Sequence, residues 1–219
     1  MKEIKIEELT FNPFDLLKDW ALVTSKNHDE FNSMTISWGG FGSLWNKYTA
    51  TMYIRPQRYT KKLLDNNDYY TICFFDKEYK KELSYLGTIS GNDDKNKMSN
   101  TKLTPVIEEE IVYYKEAKLV FICKKEYVNQ LTKDGIIDKK VIEQNYQNND
   151  YSYEYIGKIE KVLIKKTKTQ KNSSRKSSLT VFLCTSKARK RKTLPKIKKS
   201  IIIKKKKQMK KEVNYGSEN

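Results

Sequence analysis

Polar and apolar residues alternate with period two in several short stretches of the chain. Ser33 to Trp38 (SMTISW) sets Met34, Ile36 and Trp38 against Ser33, Thr35 and Ser37, and Tyr48 to Arg55 (YTATMYIR) sets Ala50, Met52 and Ile54 against threonines. That period puts alternate side chains on opposite faces of a half-buried strand. Trp20 to Thr24, Tyr69 to Phe75 (YYTICFF), Ala117 to Cys123 (AKLVFIC) and Tyr155 to Ile164 are apolar or β-branched enough to be further strands. Helical spacing occurs only in short pieces, Thr60 to Asp65 and Glu78 to Leu86, where Tyr79, Leu83 and Leu86 recur on one face. Five or six strands with single interspersed helices predict a mainly β protein, a closed antiparallel barrel decorated by a few short helices.

Two stretches read as loops by composition. Gly39 to Asn46 (GGFGSLWN) carries three glycines in four positions, and Gly87 to Asn100 (GTISGNDDKNKMSN) is long and polar. Glycine admits conformations closed to other residues and lets a ligand approach the backbone.

Charge changes the picture at one point only. The net charge is +17 over 219 residues, but residues 1–166 hold 26 Lys+Arg against 25 Asp+Glu, whereas residues 167–219 hold 18 against 2. The chain therefore divides into a balanced domain, 1–166, and a Lys/Arg-rich tail, 167–219, whose self-repelling runs (KARKRK, KKKKQMKK) predict disorder. Polyanion binding is expected of the tail alone, as sequence-independent contact with nucleic acid or an anionic surface. A read-through or frameshifted extension of a lysine-rich gene is the alternative reading of that segment. No apolar run approaches the roughly 20 residues of a membrane span, and the N-terminus MKEIKIEELT lacks the apolar core of a signal peptide, so a cytoplasmic protein without membrane contact is expected. Cys73, Cys123 and Cys184 are odd in number and form no CxxC pair; neither a disulfide framework nor a zinc site is indicated, and Cys73 and Cys123 read as buried apolar groups. His28, the only histidine, lies in a polar turn.

There is no Walker loop, GxGxxG, HExxH or Ser/His/Asp set. What the chain does offer is Arg55 and Arg58, three apart around Pro56 at a strand exit, followed by the hydroxyls of Tyr59 and Thr60. Guanidinium groups grip phosphate oxygens with paired donors, although a surface ion pair would explain either arginine as well. Thr35 and Ser37 add hydroxyls on one face of the SMTISW strand; the competing reading makes Met34, Ile36 and Trp38 plain barrel core.

Taken in order, NSMTISWGGFGSLWNK, YTATMYIRPQRYT, YLGTISGNDDK, EAKLVFICKKEY and DYSYEYIGKIEKVLIKK resemble the flavin reductase family, in its flavoredoxin-like branch, over almost all of residues 1–166. The resemblance implies an FMN-binding split barrel, a homodimer with FMN near the subunit interface, and electron transfer from NADH, NADPH or a redox protein. It assigns Asn32, Met34, Thr35, Ser37 and Trp38 to the flavin ring and ribityl chain, Arg55, Arg58, Tyr59 and Thr60 to the phosphate, and Ser90, Gly91 and Lys95 to the cofactor's surroundings. Asn92 stands where the family commonly has arginine, so that charged contact is missing or is supplied by Lys95 or Lys97, and Ser152 lies where a histidine is usual. The expected activity is an NAD(P)H-dependent flavin oxidoreductase; the alternative is a flavoredoxin-like electron carrier reduced by a protein. Neither needs a side-chain acid or nucleophile, because hydride chemistry belongs to the flavin.

Overall fold

The computed structural model describes residues 1–28 and 30–166; the reading of 167–219 as a basic tail, and Cys184, lie outside the described residues. The run YYTICFF, too apolar to alternate, becomes a strand covered on both faces. This strand, β6 (Tyr69–Phe74), turns Ile72 and Phe74 into one apolar cluster and Cys73 into a second. Its neighbours divide in the same way: Val23 against Leu22 in β2 (Ala21–Lys26), and Phe121 and Cys123 against Val120 and Ile122 in β9 (Leu119–Gln130). The first cluster fills the barrel; the second lies beneath a helix, α3 (Lys80–Thr88), through Leu83 and Leu86.

Strands β3 (Phe31–Ile36), β4 (Gly39–Leu44), β5 (Lys47–Ile54) and β10 (Tyr153–Ile164) complete the main path, in the order β3-β2-β6-β9-β10-β5-β4, with β1 (Lys2–Ile4) added on β10. Every pairing is antiparallel. The first and last strands of the path, β3 and β4, follow each other in the chain with only Ser37 and Trp38 between them. The sheet therefore curls until its edges nearly meet, and the barrel is split where β3 hands over to β4. A bond from the Tyr53 N–H to the Trp38 carbonyl (3.4 Å) carries the β4–β5 pairing one residue into that junction.

Two helices close the lower flank. Helix α2 (Tyr59–Asn66) sends Leu64 into the barrel cluster, and α3 packs on β3. A short helix α1 (Asp15–Asp19), a hairpin of β7 (Pro105–Ile107) and β8 (Val112–Tyr114), and α4 (Lys139–Asn145) between β9 and β10 were not foreseen by periodicity, each being too short to show one.

The glycine-rich stretch 39–46 needs correcting. It is strand β4, paired with β5 from Gly39↔Met52 to Leu44↔Lys47, and the chain reverses at Trp45 and Asn46, both with positive φ (53° and 58°). Two consecutive left-handed residues are the mark of a tight hairpin turn whose twist matches its strands. Glycine content had hidden a strand whose partner supplies the order. No described helix is long and apolar enough to cross a membrane.

Candidate cofactor site

Residues 55–58 form a turn, closed by the Arg58 N–H on the Arg55 carbonyl (3.1 Å), between the end of β5 and the start of α2. The two arginines leave it for different surroundings.

Arg55 is held from several sides. One nitrogen meets Asp150 Oδ2 at 2.6 Å and the other donates to the Asn145 carbonyl, while the guanidinium lies 4.9 Å from the centre of the Tyr146 ring and 5.8 Å from that of Trp38. Gln57 donates to the same Asp150 oxygen (2.8 Å). Burial works against the Asp150 carboxylate, but the bonds from Arg55 and Gln57 and the Arg55 charge outweigh it and hold the carboxyl below its ordinary range. Its other oxygen, Oδ1, is buried without a partner among the described residues. Tyr146 stacks near Tyr151 (5.1 Å) and its hydroxyl bonds Ser152 Oγ (3.3 Å), which is buried. The surface-ion-pair reading thus describes Arg55, and its contacts fasten the segment after α4 to the end of β5.

Arg58 has no carboxylate within 4.0 Å among the described residues; one nitrogen donates to the Gly87 carbonyl (3.0 Å), leaving most of its five donors for a ligand. It is the N-cap of α2, where unpaired N–H groups and the helix dipole favour an anion. Beside it, Asn32 Nδ2 donates to Thr60 Oγ1 at 2.6 Å, both side chains being buried. Gly91 closes over this pair: a Cβ there would sit 2.6 Å from Tyr59 Cδ1 and 2.7 Å from Asn32 Oδ1, so only glycine lets the turn approach so closely. The turn is held by Ser90, whose Oγ accepts the Asn92 N–H (3.1 Å). Tyr59 donates to both oxygens of Glu30 (2.7 and 2.8 Å), and Lys62 reaches Asn92 Oδ1 (3.2 Å).

Of the residues expected from the sequence, Asn32, Arg58, Tyr59, Thr60, Ser90 and Gly91 therefore meet around the start of α2. Thr35 joins them indirectly, its hydroxyl donating to the Leu83 carbonyl (2.5 Å) and its Cβ lying 3.2 Å from where a Cβ on Gly87 would sit. Trp38 belongs to the Arg55 group; at 39 % exposure it is surface, not core. Met34 is buried in the barrel, Ser37 is half-buried beside Trp38, and Lys95 is exposed. The lysine that enters the cluster is Lys97, 1 % exposed, which sequence reasoning mentioned only as a substitute. Its Nζ donates to the carbonyls of Ile89 (2.8 Å) and Leu86 (3.4 Å). A buried lysine in a run like GNDDKNKM has no periodic signal, so nothing in the pattern singled it out from Lys95. Asp150 and Tyr146 were missed as well, being about 95 residues from Arg55 in sequence.

Burial pushes the Cys73 thiol up to about 12 and raises Cys123 likewise, so neither is a nucleophile. Among the described residues no group of three or more acidic, histidine or cysteine side chains could hold a metal.

No protein-family model matches the chain, and no curated protein does. Solved structures do. A putative flavin reductase with split barrel domain from Shewanella frigidimarina aligns with a TM-score of 0.54 at 18% identity, covering 82% of this chain and 86% of its own. The fold is that of the flavin reductase-like split barrels. The flavoredoxin of Desulfovibrio vulgaris (TM-score 0.53, 20% identity, 76% and 78% covered) and an FMN-binding domain of a flavin reductases-like enzyme from Shewanella baltica (0.54, 14%, 74% and 75%) share this split barrel. With so few identical residues, these neighbours speak for the backbone; the case for a ligand has to come from the side chains described above.

Proposed function

We propose that this split barrel binds FMN at the start of α2 and acts as a flavoprotein oxidoreductase. The observation that carries the reading is the Arg58 surroundings: a cation with no carboxylate in ion-pair distance among the described residues, at a helix N-terminus, beside a buried Asn32–Thr60 pair and a glycine turn. A dianionic phosphate suits that set of donors, with Arg58 as the bidentate group and the α2 N-terminus as its dipolar complement. Asn32 and the Ser90–Gly91 turn offer amide and backbone groups for the polar edge of a flavin, and Trp38 an exposed aromatic face. When bound, FMN supplies hydride and single-electron chemistry; the chain's own residues bind it, orient it and limit the access of water.

The test is direct. The full chain is purified, titrated with FMN while its visible spectrum and fluorescence are followed, and the complex is then exposed to NADH or NADPH without oxygen. Saturable FMN binding and bleaching by either nucleotide are the expected results. Absence of FMN binding overturns the reading.

A second reading, an electron carrier reduced by a protein partner, is favoured by the Arg55 group. The cation beside Trp38 among the described residues, Arg55, is already held by Asp150, Asn145 and two rings, and Ser152 is buried against Tyr146, which leaves little there for the phosphates of a nicotinamide nucleotide. FMN binding without bleaching by either nucleotide selects this carrier. A homodimer belongs to both readings: Leu44, Trp45, Tyr48 and Tyr127 are exposed on or beside the β4–β5 hairpin and give a second copy apolar surface to cover. Sedimentation of the full chain measures it.

A further inference from the structure

The carboxyl end of α3 is capped by the residues of the candidate site. Helices that end without a left-handed glycine leave their last carbonyls in need of donors, and α3 ends at Ile89 in an extended conformation. Its final carbonyls find donors in two other segments: Gly87 accepts from Arg58 at the head of α2, and Leu86 together with the cap residue Ile89 from Lys97, while one turn earlier Leu83 accepts from Thr35 of β3. The Ser90–Gly91 turn that closes over Asn32 and Tyr59 begins at the next residue. Two cations from separate segments thus converge on neighbouring carbonyls, one of them buried.

We propose that Lys97 is a positioning residue: by capping the α3 end that also anchors Arg58, its ammonium makes anion binding at Arg58 depend on the Lys97 charge. This rests on the FMN reading above and deepens it. The charges that face Lys97 are Arg58, from the head of α2, and Asp94, from its own loop. Burial first, and then the Arg58 charge, lower Lys97 from the ordinary lysine range to about 8, with Asp94 acting in the opposite sense. An anion held by Arg58 relieves the repulsion between the two cations and so favours the protonated lysine. By reciprocity, the protonated lysine favours the anion. Affinity is therefore greatest below pH 8 and falls as the pH rises through it.

The experiment compares FMN with riboflavin, which has the same ring and no phosphate, on the full chain from pH 7 to pH 9.5. A phosphate monoester is already dianionic over that range, its second pKa lying near 6. The expected result is a loss of FMN affinity of about five- to tenfold across the range, within the span usual for coupled sites, with riboflavin affinity unchanged. Lys97→Arg, whose charge does not titrate there, should abolish the slope; Lys97→Met should be weak and flat. A flat FMN profile in the unaltered chain, a parallel fall in riboflavin affinity, or a slope that survives Lys97→Arg overturns the proposal while leaving FMN binding intact. Failure to bind FMN at pH 7 overturns the flavin reading itself and this one with it. The comparison of FMN and riboflavin on the unaltered chain decides the matter even if Lys97→Met does not fold.

Discussion

Arg55 and Arg58 sit at the two ends of one four-residue turn, yet the fold uses them in opposite ways. Around Arg55 the protein supplies a carboxylate, a carbonyl and two aromatic faces. Around Arg58 there is one carbonyl, a second cation and no carboxylate within ion-pair distance among the described residues. Satisfied charges of the first kind hold segments together; two cations of the second kind, brought close by folding and without an ion-pair partner for Arg58 among the described residues, are what the proposed FMN site is built on. The comparison teaches that an arginine's role follows from what surrounds it, and that two arginines three residues apart need not share a ligand.

The largest expected effect comes from removing the unsatisfied partner. Arg58→Gln keeps a donor for the Gly87 carbonyl but loses the charge, and a charge-assisted hydrogen bond contributes roughly 1.5–3 kcal/mol. FMN affinity should fall by about ten- to a hundredfold, with riboflavin affinity nearly unchanged, as read by fluorescence titration. If Arg55→Gln weakens FMN as much, the distinction between the two arginines is lost.

Next comes the close approach that shapes the Arg58 side. Gly91→Ala places a methyl against Tyr59 and the Asn32 oxygen, and overpacking of this kind costs about 1–3 kcal/mol. Thermal unfolding without FMN should show that loss. Because both neighbours lie on the site, FMN affinity should fall with it, which a purely peripheral turn would not do.

Arg55→Ala should act on stability and little on FMN. It leaves Asp150 buried beside a lost partner and frees the segment after α4, at a cost of about 1–2 kcal/mol once partial exposure of the pair is allowed for. Arg55→Lys restores charge but not the two-sided stacking or the bond to the Asn145 carbonyl, so it should recover only part of the loss. Denaturant titration of both variants measures this. FMN affinity within about threefold of the unaltered chain would confirm that Arg55 is structural, since threefold is less than 1 kcal/mol.

Of the Arg58 side, the local run 58–60 was legible from the residues themselves, and Asn32, Ser90 and Gly91 only through the resemblance, since they meet it from 28 and more residues away. Arg58, Tyr59 and Thr60 are consecutive, whereas Asn32 only heads an alternating strand and a glycine after a serine only marks a turn. The Arg55 side was not legible. Asp150 and Tyr146 follow a helix too short to show a period, and the sequence cannot say that β10 will return beside β5 with Tyr153 opposite Ile54. Met34 shows the limit of alternation. The pattern gives its face correctly, but a face turned into the barrel is core, so any contact with a ligand there would have to come from backbone. Thr35 shows the reverse: its hydroxyl is on the outer face as alternation predicts, and there its proton goes to a helix carbonyl.

The smallest expected effect is the pH dependence of the Arg55 latch. Asp150 has its carboxyl held below the ordinary value, near 3.9 for an unfolded aspartate, by the bonds from Arg55 and Gln57 that overcome its burial. A depressed folded value contributes stability that is fully present above the unfolded pKa and is lost as the pH falls through the folded one. The latch should therefore hold unchanged from neutrality to about pH 5 and weaken below 4. Asp150→Asn removes the charge at every pH. Its stability deficit relative to the unaltered chain, about 1 kcal/mol or less for a pair that is partly solvated, should be steady at pH 5 and shrink toward zero at pH 3. Arg58→Gln, which breaks no carboxylate pair, should show no such convergence over the same interval, so paired melts at pH 5 and pH 3 separate the closed end of the turn from the open one. A deficit of Asp150→Asn that stays constant down to pH 3 would mean that the carboxylate charge does not hold the latch, and that the rings of Trp38 and Tyr146 do.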